Sequence, residues 1–302
     1  MDDPVVSTLV TLRDYVRYAT SRFTEAKVFL GHGTAAALDE AVALVLAAVH
    51  LPFDLPGGYF EGHLTIPERE RILGLIERRI SERKPLAYLT HEAVFAGLSF
   101  YVDERVLVPR SPLAEWIEVG FAPWLDPDAV TDVLDLCTGS GCIAIASALA
   151  FPEASVDAVD ISQDALAVAD INIHRHQVGD QVRTIESDLY KALADQRYDL
   201  IVSNPPYVSE AEWLALPAEF HAEPRLGLES GEQGLDCVHR ILQGSARHLK
   251  PLGVLVVEVG SAAGALIKAY PDIPFFWLDF ERGGDGVFLL TAEQVRAIFP
   301  ES

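Results

Sequence analysis

The sequence predicts an α/β fold, a largely parallel sheet covered by helices on both faces, with a small helical domain ahead of it. Two observations carry this. From about residue 130 onward, short runs rich in Val, Leu and Ile alternate with helical patterns, the order of right-handed βαβ units. Before residue 91 no strand pattern occurs and apolar residues recur at helical spacing. A chain of 302 residues that is 50% hydrophobic and 23% charged has the composition of an ordinary globular protein with room for a substantial core.

Taken in order, Leu9, Leu12 and Val16 open the helical part, and the Ala-rich run Leu38 to Val49 suits a packed helix. Leu51 to Gly58 reads as a loop. Thr65 with Glu68 forms a capping-box pattern, Pro67 sits in the first turn, and Ile72, Leu73, Ile76 and Ile80 make an apolar stripe that ends at Lys84-Pro85. Val94 to Val108, clustered around Gly97 and Asp103-Glu104, predicts a β-hairpin closed by Pro109-Arg110-Ser111-Pro112. Strands are expected at Val130 to Leu136, Val156 to Val159, Val182 to Ile185, Asp199 to Val202 and Val254 to Val259, with a last pair near Phe275 to Phe280 and Val287 to Leu290. Helices are expected at Cys142 to Ala150 and Ala165 to His174. The predicted organisation is a helical domain over 1–91, a hairpin linker over 92–112 and a sheet domain over 113–302.

Composition narrows the function. Apolar stretches such as Ala41 to Val49 fall short of the roughly 20 residues that span a bilayer. Met1-Asp2-Asp3-Pro4 lacks the basic-then-apolar order of a secretory signal, so a cytoplasmic location is expected. Cys137, Cys142 and Cys237 form no CxxC pair and fit a reducing compartment. The nine histidines contain no HExxH pattern, and no metal is expected. A net charge of −22 repels nucleic-acid phosphates and attracts basic proteins, which makes free DNA an awkward partner.

The most informative stretch is Asn204-Pro205-Pro206-Tyr207, at the carboxyl end of the apolar run Leu200-Ile201-Val202. In open α/β sheets that end is where ligands bind. Asn204 supplies an acceptor and two donors, Pro205 a carbonyl without an amide hydrogen of its own, and Tyr207 an aromatic wall. The set suits a planar NH2 group, and both a glutamine amide and the exocyclic amine of adenine qualify. Such a motif points to a nitrogen about to be alkylated.

A second constellation runs from Val133 through Asp135, Cys137, Thr138, Gly139, Ser140 and Gly141, where a strand passes into a helix through small residues. Gly139-Ser140-Gly141 with Ala144 also matches the dinucleotide fingerprint, but Asp135 would meet a pyrophosphate with like charge. A ligand carrying an ammonium and a sulfonium would be attracted instead, and S-adenosylmethionine is such a ligand. Asp160 ends the next strand, where a carboxylate takes ribose hydroxyls. Asp188 follows the third, placed to accept from the adenine amine while Leu189 packs on the ring.

With these motifs in chain order, the sequence resembles the class I methyltransferases that carry Asn-Pro-Pro-Tyr, and more narrowly the protein-(glutamine) methyltransferases. Ala87-Tyr88-Leu89-Thr90, Phe100 to Pro112 and Gly283-Gly284-Asp285-Gly286-Val287-Phe288 extend the resemblance over nearly the whole chain. The branch acting on release factors usually reads Pro-Arg-Pro-x-Thr-Glu after the hairpin. Here Pro109-Arg110-Ser111-Pro112 and Cys137 favour the branch acting on large-subunit ribosomal protein 3. The resemblance implies a seven-stranded, Rossmann-like sheet with an antiparallel last strand, S-adenosylmethionine at Cys137 to Gly141, Asp160, Asp188 and Leu189, and a substrate amide held by Asn204 to Tyr207. Phe95 or Phe100 is expected to sandwich that amide with Tyr207, and a basic ribosomal protein met before or during assembly is the expected partner.

Overall fold

Amphipathic stretches fold into five helices in the amino-terminal part of the chain: α1 (Pro4–Thr8), α2 (Leu12–Glu25), α3 (Ala37–Ala48), α4 (Ile66–Ser81) and α5 (Leu86–Thr90). The computed structural model describes residues 4–300. It divides into two units, one comprising the chain up to Glu92 with Pro217–Ala222, the other Ala93–Leu216 with the chain from Glu223 onward. In the helical unit the capping box read from the sequence is present, with the Thr65 amide donating to Glu68 at 2.7 Å. Tyr15, Phe23, Leu44, Ile72 and Ile76 form its core. Beside them Arg79, 1% exposed, donates to Glu40 at 2.7 Å and to the Phe29 carbonyl at 2.9 Å.

The second unit opens with a hairpin shorter than the sequence predicts. β1 (Ala93–Phe95) pairs antiparallel with β2 (Leu98–Phe100) across Ala96 and Gly97, whose φ values of 49° and 72° suit a two-residue hairpin turn. Beyond Phe100 the backbone bonds to side chains from distant segments instead of to a strand. The Tyr101 amide donates to Asn172 Oδ1 at 2.7 Å and the Val108 amide to Glu223 Oε1 at 3.0 Å.

After α6 (Leu113–Glu118) come β3 (Asp132–Leu136), α7 (Cys142–Ala150), β4 (Ser155–Asp160), α8 (Gln163–His176), β5 (Val182–Glu186), β6 (Tyr198–Ser203), α9 (Glu210–Ala215), α10 (Asp236–His248), β7 (Leu249–Glu258), α11 (Ala263–Ala269), β8 (Phe276–Trp277), β9 (Val287–Thr291) and α12 (Ala292–Ile298). The seven strands from β3 on form one sheet in the order β5-β4-β3-β6-β7-β9-β8. The first five strands of that order run parallel, and β9 lies antiparallel between β7 and β8.

Alternation of side chains explains why both sheet faces are covered. Val133, Leu200, Val202, Val254 and Val256 enter the core beneath α7, whereas Leu134, Ile201, Leu255 and Val257 enter the one beneath α10 and α12. Each such side chain contributes roughly 1.5–3 kcal/mol. The central strands are therefore the stiffest part of the unit, and the loops at their carboxyl ends start from fixed positions. α7 is short and buried almost without interruption from Cys142 to Ala148, and its ends fall where the sequence predicts them, between the glycine turn and Phe151-Pro152.

Candidate active site

Loops at the carboxyl ends of β3 to β6 enclose a cavity of about 470 Å³, within the ordinary range for small-molecule sites. Thr138, Gly139, Asp160, Leu189, Asn204 and Arg110 are among the residues lining it. The β3–α7 turn is shaped by positive φ at Cys137 (61°), Gly139 (55°) and Gly141 (79°). A Cβ on Gly139 would meet nothing within 4 Å, so open space lies over the backbone there. A Cβ on Gly141 would come 3.2 Å from that of Ala169, which keeps α7 close to α8.

Asp135 does not line the cavity. It is fully buried under the turn, where Oδ2 accepts from the Thr138 hydroxyl at 2.6 Å and from the Ala144 amide at 3.0 Å. Among the described residues Oδ1 has no partner. Burial raises its pKa to about 7, against the pull of the Thr138 and Ala144 hydrogen bonds. The sequence assigned Asp135 a charge attraction to the ligand; in the structure it ties the turn to the start of α7.

Asp160, at the end of β4, lines the cavity with its carboxylate already oriented. One oxygen accepts from the Gly139 amide at 2.9 Å and the other from the Ser162 amide at 2.9 Å. Burial nonetheless raises its pKa. Asp188 and Leu189 line the next stretch of wall. Lys191 at 2.7 Å and Arg240 at 2.6 Å both donate to the Asp188 carboxylate and lower its pKa. Leu189, with φ of 53°, turns the chain back under it. Cys137, Thr138 and Ser140 also line the cavity, and the Cys137 and Cys237 sulfurs stand 3.9 Å apart on its wall. That sulfur contact and burial push the Cys137 thiol up.

Of the Asn-Pro-Pro-Tyr segment, the Asn204 and Pro206 side chains line the cavity, the Pro205 ring between them is buried, and Tyr207 packs half-buried against the core beneath α10 and α12. Among the described residues the Asn204 side chain bonds to no other group, so its acceptor and donors remain available to a ligand. The Ser203 hydroxyl just before it donates to the Leu136 carbonyl at 2.7 Å and locks the ends of β6 and β3 together. The Tyr207 hydroxyl donates to Glu258 Oε1 at 3.0 Å. Burial, then the Glu258 charge, raise the tyrosine pKa. Burial likewise raises that of Glu258.

The expected aromatic sandwich is not built from the hairpin. Phe95 and Phe100 are both buried in the core, their ring centroids 6.4 Å apart, and neither lines the cavity. Strand alternation is the reason. β1 and β2 are three residues each, and the inward positions that hold the two phenylalanines are those facing α7 and α8, where Phe100 meets His176 at 4.8 Å.

Three further side chains shape the site. Asn172, fully buried on α8, donates to the Ser140 carbonyl at 2.8 Å and the Tyr101 carbonyl at 3.0 Å, and so stitches the turn to the segment after the hairpin. Glu223 binds the Arg110 guanidinium through both oxygens, at 2.6 and 3.0 Å. Glu258 joins Tyr207 to Ser111, whose hydroxyl donates to it at 2.5 Å. Of the three, Glu223 lies in a Glu-Pro stretch that reads from the sequence as a loop over the site, whereas Asn172 and Glu258 are not singled out by any local pattern.

Comparison with known proteins identifies relatives of the chain. Residues 121–231 match the family model of the methyltransferase small domain. A "ribosomal protein uL3 glutamine methyltransferase" of Francisella tularensis is 48% identical over 96% of this chain and 93% of its own. Proteins of that description from Xanthomonas campestris and Neisseria gonorrhoeae are 51% and 50% identical, over 96% and 95% of this chain and 94% and 96% of theirs. Among solved structures, the hMettl16 catalytic domain in complex with the MAT2A 3'UTR hairpin 6 aligns with a TM-score of 0.50 at 18% identity, over 74% of this chain and 81% of that one. That likeness is one of fold.

Proposed function

The chain belongs to the family of ribosomal protein uL3 glutamine methyltransferases, and from that premise we propose that it transfers a methyl group from S-adenosylmethionine to the side-chain amide nitrogen of a glutamine in uL3, the large-subunit ribosomal protein 3. The observation that carries the reading is the unengaged Asn204 amide on the same cavity as Gly139, Asp160 and Leu189. S-adenosylmethionine supplies an electrophilic methyl group on a sulfonium sulfur. The donor set fits it: open space over Gly139 for an elongated ligand, a fixed carboxylate at Asp160 for the ribose hydroxyls, and Leu189 for the flat base. Cys137, Thr138, Gly139, Ser140 and Asp188, which line the same cavity, would hold it together with these, while Gly141 shapes the turn from outside the lining.

An amide nitrogen is a poor nucleophile because its lone pair is delocalised into the carbonyl. The residues must therefore supply position and charge stabilisation. Asn204 Oδ1 and the Pro205 carbonyl each accept one N–H of the glutamine amide and fix the direction of its lone pair. The same two oxygens stabilise positive charge that develops on nitrogen, an effect worth roughly a hundredfold or more in rate where a single such contact is removed. The N-alkylated amide is strongly acidic and releases its proton to water, so no strong base is needed. Pro206 walls the amide in, and Tyr207 anchors the segment from behind. The helical unit serves to recognise the protein substrate. A ribosomal-protein substrate also supports a cytoplasmic location.

The test is incubation with methyl-labelled S-adenosylmethionine and, separately, uL3, a release factor and DNA. Label is expected on uL3 alone, lost when its target glutamine is replaced by alanine, and reduced about a hundredfold or more by Asn204→Ala in the enzyme. Label on the release factor alone would assign the chain to the sister branch, and label on DNA to adenine-amine chemistry.

A further inference from the structure

Glu258 is 5% exposed at the end of β7, between the buried apolar residues Val257 and Val259. Its two oxygens face two donors from different parts of the chain. Oε1 accepts from the hydroxyl of Tyr207, the last residue of the Asn-Pro-Pro-Tyr segment, and Oε2 from the hydroxyl of Ser111, the end of the extended stretch that lines the cavity from Arg105. As a carboxylate Glu258 accepts from both at once, one hydroxyl on each oxygen; an amide in its place keeps an acceptor on one side and puts an NH2 donor on the other, so that one of the two hydroxyls must turn and accept instead.

Glycine backbone lies close against Tyr207 at its ring and at its main-chain carbonyl. A Cβ on Gly260 would fall 2.6 Å from its ring, one on Gly234 would fall 2.1 Å from its carbonyl oxygen, and one on Gly286 would fall 2.6 Å from Gly260 Cα. Gly286 thus supports Gly260, Gly260 supports the ring, and Glu258 fixes the hydroxyl. The ring is thus held at its face by Gly260 and at its hydroxyl by Glu258, and the three residues before it inherit that constraint.

We propose that Glu258 is the positioning residue of this enzyme, holding the Asn204 amide and the Pro205 carbonyl at the geometry the glutamine requires by clamping Tyr207 to Ser111. The proposal rests on the functional reading above and deepens it. Glu258 touches neither substrate nor methyl donor; it acts through Tyr207.

The chain contains two asparagines, Asn172 and Asn204, so selective 15N-asparagine labelling yields two side-chain NH2 signals, one at the site and one in the core as an internal control. In Glu258→Gln and in Ser111→Ala the Asn204 pair is expected to shift or broaden while the Asn172 pair stays in place. In the same variants kcat on uL3 falls between about tenfold and a hundredfold, and in Glu258→Gln, whose site lies outside the cavity lining, the dissociation constant for S-adenosylmethionine is unchanged. Ser111→Thr, which keeps the hydroxyl, restores both. An Asn204 pair that does not move, kcat that does not fall, or both asparagine pairs moving together with loss of cofactor binding in both variants overturns the proposal. If the wild-type protein fails to label uL3, the functional reading falls, while the Asn204 signal still decides whether Glu258 positions the segment.

Discussion

Asp135 shows how one buried oxygen couples the site to pH. Its Oδ1 lacks a partner among the described residues, and burial raises its pKa to about 7. Because the folded value lies above the unfolded one, the folded state holds a proton there that the unfolded chain has shed. Stability from this group is complete below about pH 4 and is lost as pH rises towards 7, by roughly 4 kcal/mol in all. Asp135→Asn imitates the protonated form and keeps an acceptor for Thr138 and Ala144. The thermal midpoint of the variant, relative to wild type and without methyl donor, is expected to rise by several degrees between pH 5 and pH 8. A difference that is flat with pH would show that the folded protein carries Asp135 ionised throughout. From the sequence, Asp135 was legible as an acid next to a glycine turn, but the direction in which its side chain points depends on which face of β3 the turn folds over.

Elements close in sequence were readable; contacts between distant ones were not. The helix at Cys142 to Ala150, the order of the strands and the position of Asn204 at the end of β6 follow from local periodicity and from turn residues. The hairpin was overextended because Val102, Val106 and Val108 look like strand residues, yet each is buried by partners remote in the chain. Glu223 is the clearest of these partners, since it joins Val108 and Arg110 across more than a hundred residues. Its side chain is fully buried and that of Arg110 is about a quarter exposed. Glu223→Ala would leave the Val108 amide and the guanidinium without this acceptor. Urea unfolding is expected to register a loss of about 2–3 kcal/mol, below the full cost of breaking a wholly buried pair because water still reaches Arg110. The KM for the methyl donor should rise in the same variant, since Val108 and Arg110 line the cavity. Glu223→Gln keeps one acceptor and should recover part of the stability. A variant with wild-type stability and KM would mean that the stretch from Tyr101 to Ser111 holds its course without the ion pair.

For the whole molecule, the net charge of −22 sets which macromolecules approach it. Among the described residues no helix is long and apolar enough to cross a membrane. A basic ribosomal protein is drawn to this surface, and the attraction weakens as salt shortens the Debye length from about 10 Å at 0.1 M to about 3 Å at 1 M. KM for free uL3 should therefore climb steeply with ionic strength, while kcat, which the proposed mechanism assigns to contacts at Asn204 and Pro205, stays nearly level. The same charge acts in reverse once the substrate is wrapped in RNA. Ribosomal RNA carries one phosphate per nucleotide, so an assembled subunit presents to this enzyme a surface of its own sign, and the encounter rate falls. Free uL3, or uL3 early in assembly, is thus the expected substrate. Initial rates at physiological salt on free protein should exceed those on finished large subunits by more than tenfold, and added salt should narrow the gap by screening both the attraction and the repulsion. Equal rates on the two substrates would mean that charge does not select the stage of modification. A gap that salt leaves unchanged would mean that the glutamine is simply hidden by assembly.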